Sequence, residues 1–193
     1  TDYKQGWGMA RLGSLPSDIA AIRGHWAEEA VDWAFTTEIT DGCPMVGVLT
    51  CPELAVTRDE MAQFLWRFRN TPIATMASSF DDVVAGVSYG PAVDWLAEKG
   101  ITLGCTTTSY CPDGTVTRAE MAAFLWRLEN SPGGSPPAGF ADLPIGSFAH
   151  LAVDWLLASG TTTGCTTWSY CPQGLVTRAQ MFSFLNRLAS SQS

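Results

Sequence analysis

The stretch TRAEMAAFL at residues 117–125 decides the fold of this chain, because close relatives of it stand sixty residues to either side, at 57–65 and 177–185. A threonine followed three residues later by Glu or Gln is typical of a helix start closed by a capping box. The apolar residues behind it fall at i, i+3 and i+4, which predicts one buried helix face. The sequence therefore contains three copies of one helical unit.

Outside this motif, the unit continues upstream with the segment Ala-Val-Asp-Trp at 30–33, 92–95 and 152–155. Its apolar residues share one arc of a helix, which predicts a first helix that Gly100 ends in the second copy. The first-helix tryptophans are expected to be structural: Trp33, Trp95 and Trp155. Each unit is thus predicted to be two helices around a loop.

Segments rich in Pro, Gly and Ser at 70–79 and 130–139 predict linkers between the units. We expect an N-terminal extension at 1–16 and repeats at 17–70, 80–130 and 140–189. Because about 60 residues bury too little surface alone, the three repeats should share one core and form one cooperative domain.

Composition excludes several classes of protein. A chain of 193 residues with 46% hydrophobic and 16% charged residues is expected to fold. Its net charge of −8 argues against a nucleic-acid partner, since phosphate attraction needs a basic surface. No apolar run approaches the roughly 20 residues that cross a bilayer, so membrane insertion is not expected.

The six cysteines form three close pairs, and pairing of neighbours is the economical interpretation: Cys43 with Cys51, Cys105 with Cys111, and Cys165 with Cys171. Three such disulfides imply an oxidising, extracytoplasmic compartment. The alternative is a metal site, but the sequence lacks C-x-x-C, and His25 and His150 stand far from the cysteines. We therefore predict neither a metal nor a cofactor.

The second residue of the motif is an arginine in the first turn of a helix, where an unpaired cation costs up to about 1 kcal/mol. One partner for it is a carboxylate from Glu60, Glu120 or the aspartates that open the repeats. The other is an anionic ligand held by the arginine together with helix amides. Both alternatives stay open for the residues concerned, which are Arg58, Arg118 and Arg178 with Asp18, Asp82 and Asp142.

The third motif carries Gln180 where the others carry a glutamate. If the carboxylate of its own helix balances the charge of each arginine, the positive charge of Arg178 is the least balanced. An acidic sugar should then prefer Arg178 to Arg118 and Arg58. The opposing interpretation is that Gln180 marks a decayed copy. Because the capping box survives Arg118→Ala, that change is expected to lower stability by less than about 1 kcal/mol.

Trp66 and Trp126 lie off the apolar stripe of their helices, five residues after the motif methionine. Such a ring either stacks on a sugar face or packs against the neighbouring repeat, and packing is favoured because it needs no ligand. Both residues are kept as candidates for ligand binding.

An enzyme is disfavoured because the two histidines do not align between repeats and no serine sits in a nucleophile elbow. A carboxylate pair for glycan hydrolysis is the least favoured of the alternatives.

The motif, preceded by Pro-Asp-Gly-Thr-Val at 112–116 and Phe-Asp-Asp-Val at 80–83, resembles the S-layer homology (SLH) domain. The resemblance covers about residues 17–189 as three tandem copies. It implies an all-α, pseudo-threefold domain in which one helix of each repeat lines a shared bundle. It also implies that grooves between repeats bind secondary cell-wall polymer, often pyruvylated, and anchor exported proteins to a Gram-positive envelope.

Carried onto this sequence, the family's motif arginines are Arg58, Arg118 and Arg178, and its repeat-start aspartates are Asp18, Asp82 and Asp142. The expected location is extracellular, at the cell wall or S-layer. The chain departs from the family where Cys-Pro replaces a glycine-x-aromatic-x-proline stretch. An alternative on the same fold is a protein-interaction or self-assembling module, whose partner is a second copy or another envelope protein.

Overall fold

The structure, a computed structural model, describes residues 22–43 and 51–191. Within these ranges it is all-helical, as predicted, with isolated bridges but no regular strand. None of the described helices is long and apolar enough to cross a membrane. The helices are α1 (Glu28–Thr36), α2 (Arg58–Phe68), α3 (Gly90–Glu98), α4 (Arg118–Leu128), α5 (His150–Ala158) and α6 (Arg178–Ser190).

The motif helices α2, α4 and α6 each begin at the motif arginine behind a threonine cap, and all three carry the predicted capping box. In α4 the Glu120 amide donates to Thr117 Oγ1 at 3.2 Å, and the Thr117 amide donates to Glu120 Oε2 at 2.8 Å. The same box persists in α6 with Gln180, because an amide oxygen also accepts from the Thr177 amide.

Helices of neighbouring repeats pack in pairs. α2 packs on α3, α4 packs on α5, and α1 packs on α6, so the last pair joins the third repeat to the first. Between the repeats, the Val56 amide donates to Val176 O, the Val116 amide to Val56 O and the Val176 amide to Val116 O, at 2.8–2.9 Å. These contacts follow a cyclic order, while the pseudo-threefold arrangement as such stays a prediction.

The predicted apolar stripes form the core. Met121, Phe124 and Leu125 of α4 are buried, and their counterparts in α2 and α6 are buried with them. Of the three first-helix tryptophans, Trp95 is buried, whereas Trp33 and Trp155 are partly buried and pack against the core. One continuous cluster of buried residues draws on all three repeats, which is the shared core that the short repeats require. The predicted repeat boundaries stay predictions.

All three predicted local disulfides are present, and none crosses repeats: Cys43 to Cys51, Cys105 to Cys111 and Cys165 to Cys171. In the second and third repeats the disulfide closes the loop between the two helices and is followed by a turn. Gly114 and Gly174 of these turns lie against the side chains of Arg58 and Arg118. The loops therefore reach the motif helices of other repeats.

Candidate functional site

The first amides of each motif helix are occupied by a neighbouring repeat. In α2 the Arg58 amide donates to Gly114 O at 2.8 Å, and the Asp59 amide donates to Pro112 O at 3.0 Å. Equivalent carbonyl groups accept from the first amides of the other two motif helices; the turn at 172–174 supplies them to α4, and the turn at 52–54 supplies them to α6. These amides are used by the fold, so the guanidinium is the part of the motif that is left for a ligand.

Arg58 is 5% exposed and reaches into the second repeat. Its Nε donates to Tyr110 O at 2.7 Å, while the Tyr110 hydroxyl donates back to Arg58 O at 2.5 Å. Its Nη1 lies 3.4 Å from Glu120 Oε1, and the guanidinium stacks over the Tyr110 and Phe124 rings. Arg58 therefore has a carboxylate partner, supplied by the next repeat, and a ligand-binding role for it stays a prediction.

Arg178 is 1% exposed and forms an ion pair with Glu60 of the first repeat. Its Nη2 also donates to Thr40 Oγ1 at 3.0 Å and to Gly42 O. The expectation that Arg178 is the least compensated arginine is therefore wrong. The motif glutamate does not neutralise the arginine of its own helix; it reaches the arginine of the preceding repeat in the cyclic order.

Arg118 is the exception to this pairing. It is 6% exposed, its Nε donates to Tyr170 O at 2.8 Å, and it stacks over Tyr170 and Phe184. The residue that cyclic order places opposite it is Gln180. Among the described residues Nη2 of Arg118 is buried and has no hydrogen-bond partner. Burial lowers the pKa of Arg118, and Tyr170 and Asp142 act in the opposite direction.

The aspartates Asp82 and Asp142 organise the disulfide loops. Asp82 accepts hydrogen bonds from the Tyr110 and Cys111 amides at 2.7 Å, and Asp142 accepts the equivalent pair at 2.8 Å. Burial acts to raise the pKa of Asp82, but these two amides and Arg58 outweigh it, so that pKa lies below its ordinary value. Asp18 lies outside the described residues, and a ligand-binding role for the other two stays a prediction.

Trp66 and Trp126 meet the linkers. The Trp66 indole N–H donates to Pro72 O at 2.7 Å, and the Trp126 indole N–H donates to Pro132 O at 2.8 Å. Each ring is partly buried against the core and is bonded to the linker that follows its own helix, while packing against the neighbouring repeat stays a prediction. The third copy has Asn186 at this position. A ligand-binding role for either tryptophan stays a prediction.

Two adjoining cavities lie on the face where the first and third repeats meet. The larger, about 520 Å³, runs between α1 and α6 past Trp26, Asn186, Arg187 and Ser190, and we call it the α1–α6 groove. The smaller, about 300 Å³, is lined by Arg118 and Gln180 and is called the Arg118 pocket. They share Trp26, Ser183 and Arg187 as walls.

Sequence reasoning missed Trp26 and Arg187 as candidate site residues. Trp26 precedes the first helix, is 62% exposed and stands where the second repeat has Ser88 and the third has Phe148. That difference between copies was the available signal. Arg187 differs in no such way, because every repeat has an arginine at the equivalent position of its second helix.

The described residues contain no group of three or more His, Cys, Asp or Glu side chains that could hold a metal ion. Of the two histidines, His25 contacts Glu53 at 2.8 Å and His150 lies 3.4 Å from Asp154. The two pairs belong to different repeats. The candidate site is described by the groups that line the two cavities, which include Arg118 and Arg187, the exposed Trp26 ring and serine and threonine hydroxyl groups.

Residues 79–122, most of the second repeat, match the family model of the S-layer homology domain. The resemblance to the SLH family is confirmed. Over 181 residues, 92% of this chain, the sequence is 28% identical to an S-layer protein of Bacillus thuringiensis subsp. finitimus and 26% identical to S-layer protein sap of Bacillus anthracis. The SLH-like chain spans only 21% of the length of each relative.

Proposed function

We propose that this chain is a non-catalytic, extracellular module of the cell envelope that binds cell-wall polysaccharide in the α1–α6 groove. The likeness to S-layer proteins supports the envelope location. The three disulfides fit an oxidising compartment outside the cytoplasm.

The observation that carries the binding proposal is the chemistry of the groove. Trp26 presents an exposed aromatic face, which suits stacking against a sugar ring. Ser190, Ser191 and Asn186 supply hydroxyl and amide groups that exchange hydrogen bonds with sugar hydroxyls, and Arg187 adds a cation. An open cleft with one aromatic face and many polar groups fits a glycan better than an apolar ligand.

The test is co-sedimentation with purified cell-wall polysaccharide. Trp26→Ala should weaken retention at least tenfold, whereas Trp168→Ala should not, because Trp168 is 75% exposed but lines neither cavity. Equal binding by both variants and the parent would exclude the groove. Self-association in light scattering without polysaccharide binding would favour the self-assembling alternative, and release of reducing ends would indicate a glycan-active enzyme.

A further inference from the structure

The turn that follows each disulfide loop belongs to one repeat but caps the motif helix of another. Pro112 directly follows the second cysteine of its loop, and its carbonyl accepts the Asp59 amide of α2 at 3.0 Å. Gly114 O accepts the Arg58 amide at 2.8 Å, and the turn at 172–174 gives the first two amides of α4 the same pair of bonds. The start of each of these helices therefore depends on a loop of the following repeat.

The tyrosine before that second cysteine crosses the same boundary. Tyr110 O accepts Arg58 Nε at 2.7 Å, and the Tyr110 hydroxyl donates to Arg58 O at 2.5 Å. Tyr170 makes the two equivalent contacts with Arg118, at 2.8 and 2.9 Å. At both boundaries the capping bonds and the tyrosine bonds therefore depend on where the cysteine between them lies.

This cysteine has an unusual backbone conformation. Its φ is +58° at Cys111, in the left-handed region that residues other than glycine seldom adopt and that strains the chain. The disulfide to Cys105 and the hydrogen bond from the Cys111 amide to Asp82 oppose this strain. The same arrangement recurs at Cys171, where φ is +59°. Without the disulfide, the hydrogen bond to the aspartate is left to hold the cysteine in place.

Each loop also joins the surface to a buried contact. Cys105 and Cys165 are exposed residues, so a reductant in solution can approach the first cysteine of each loop. Tyr110 and Tyr170, which cross the repeat boundaries, are fully buried. A reaction at the surface is therefore linked, through a loop with a sequence separation of 6 between its cysteines, to the contact between two repeats.

We propose that the disulfides of the second and third repeats are redox-sensitive locks on the boundary with the preceding repeat. The Cys105–Cys111 disulfide fixes the turn that caps α2, and the Cys165–Cys171 disulfide fixes the turn that caps α4. A dithiol reductant donates two electrons and two protons to a disulfide; the S–S bond breaks, two cysteine thiols form, and the reductant closes to its own disulfide. A disulfide oxidant takes the two electrons and two protons back.

The consequence is that these repeat boundaries close fully only in an oxidising compartment, outside the reducing cytoplasm. The expectation concerns the assembly of the repeats and holds whether or not the module binds polysaccharide. It also assigns the disulfides a role between repeats, although each one joins two cysteines of the same repeat.

The test is amide hydrogen exchange, followed by NMR, on the variant that combines Cys105→Ser with Cys111→Ser. The two capped amides of α2 should exchange at least tenfold faster than in the parent. Those of α4, which depend on the intact disulfide of the third repeat, should stay within twofold. Because 52 residues separate Tyr110 from Arg58 in the sequence, the substitutions leave the intrinsic exchange rates of the α2 amides unchanged.

The reciprocal variant, Cys165→Ser with Cys171→Ser, is the matched comparison and should accelerate the capped amides of α4 but not those of α2. Thr107→Ala, at an exposed position inside the loop of the second repeat, keeps every cysteine and should stay within twofold of the parent at both helices. The amides of Leu65 and Leu125, inside α2 and α4, report opening of the whole chain.

Reduction of the folded parent with dithiothreitol decides the case in which a variant does not fold. The capped amides of α2 and α4 should accelerate at least tenfold relative to those of Leu65 and Leu125, and oxidised glutathione should restore the rates of the parent. The proposal is overturned if the capped amides accelerate only in step with Leu65 and Leu125, if each disulfide affects the motif helix of its own repeat alone, or if no rate changes.

Discussion

Arg178 and Glu60 form an ion pair although 118 residues separate them in the sequence. The pair joins the third motif helix to the first, and the backbone bond from the Val56 amide to Val176 O joins the same two repeats. Arg178 also stacks over Phe64 of α2 and Phe182 of α6. A residue that looks like a ligand-binding arginine in the sequence is therefore part of the contact that joins the third repeat to the first.

Arg178→Ala should lower the free energy of unfolding by about 3 to 5 kcal/mol, because it leaves the partly buried carboxylate of Glu60 without its cationic partner. Urea unfolding followed by circular dichroism measures the change. Arg187→Ala, an exposed position on the same helix, is the control and should stay within about 0.5 kcal/mol of the parent. Similar midpoints for both variants would show that the ion pair does not hold the repeats together.

Gly164→Ala should destabilise the third repeat more than Gly160→Ala. Both glycines have positive φ, +84° and +74°, so either alanine carries the cost of a left-handed backbone, about 1 to 2 kcal/mol. At Gly164 a Cβ would also lie 2.6 Å from Thr166 O and 2.7 Å from a Phe140 ring carbon, whereas at Gly160 nothing lies within 4 Å. Overpacking should add at least about 1 kcal/mol.

Denaturant midpoints of the two alanine variants give the comparison directly. The difference between them isolates the steric contact, since the backbone cost is shared. Equal midpoints would mean that the loop closed by Cys165 and Cys171 shifts to make room, and that the Gly164 contact is not a constraint on the fold.

The helices and the core were predictable because their signals are local. The stripe of Met121, Phe124 and Leu125 repeats at helical spacing, and the capping box of Thr117 and Glu120 marks where the helix begins. The disulfides followed from close spacing along the chain. Each of these features depends on residues fewer than ten positions apart.

The arginine partners were not predictable in the same way. The sequence places Gln180 on the same helix as Arg178, which suggested that Arg178 has no carboxylate to balance its charge. The carboxylate that meets Arg178 comes instead from Glu60 of the first repeat. Which repeat supplies the partner depends on how the repeats pack, and no local pattern encodes it. The same packing buries Arg118 and bonds it to Tyr170 O, contacts that the expected mild effect of Arg118→Ala did not take into account, and that expectation stays a prediction.

Asp82 should make stability depend on pH in the acid range. Its pKa in the folded chain lies below the ordinary value of 3.8. Its contribution is therefore complete above that value and is lost as the pH falls through the folded pKa. Asp82→Asn should flatten the loss of unfolding free energy below about pH 4, relative to the parent.

The control for this measurement is Asp113→Asn, on an exposed turn of the same repeat. Unfolding free energies of the three proteins between pH 2 and pH 7 are compared. An identical pH dependence in the parent and Asp82→Asn would show that the Tyr110 and Cys111 amides do not favour the charged carboxylate.

Trp126→Phe separates the two alternatives for the off-stripe tryptophans. The substitution keeps an aromatic ring but removes the indole N–H that donates to Pro132 O at 2.8 Å, so it should cost about 1 kcal/mol of stability and leave polysaccharide binding unchanged. Trp168→Phe, at a 75% exposed position, is the control and should unfold as the parent does. Thermal unfolding and co-sedimentation with cell-wall polysaccharide are measured on the same samples. Unchanged stability with weakened retention would instead assign Trp126 to the ligand, because losing the indole bond to Pro132 O should lower the unfolding temperature if that bond matters to the fold.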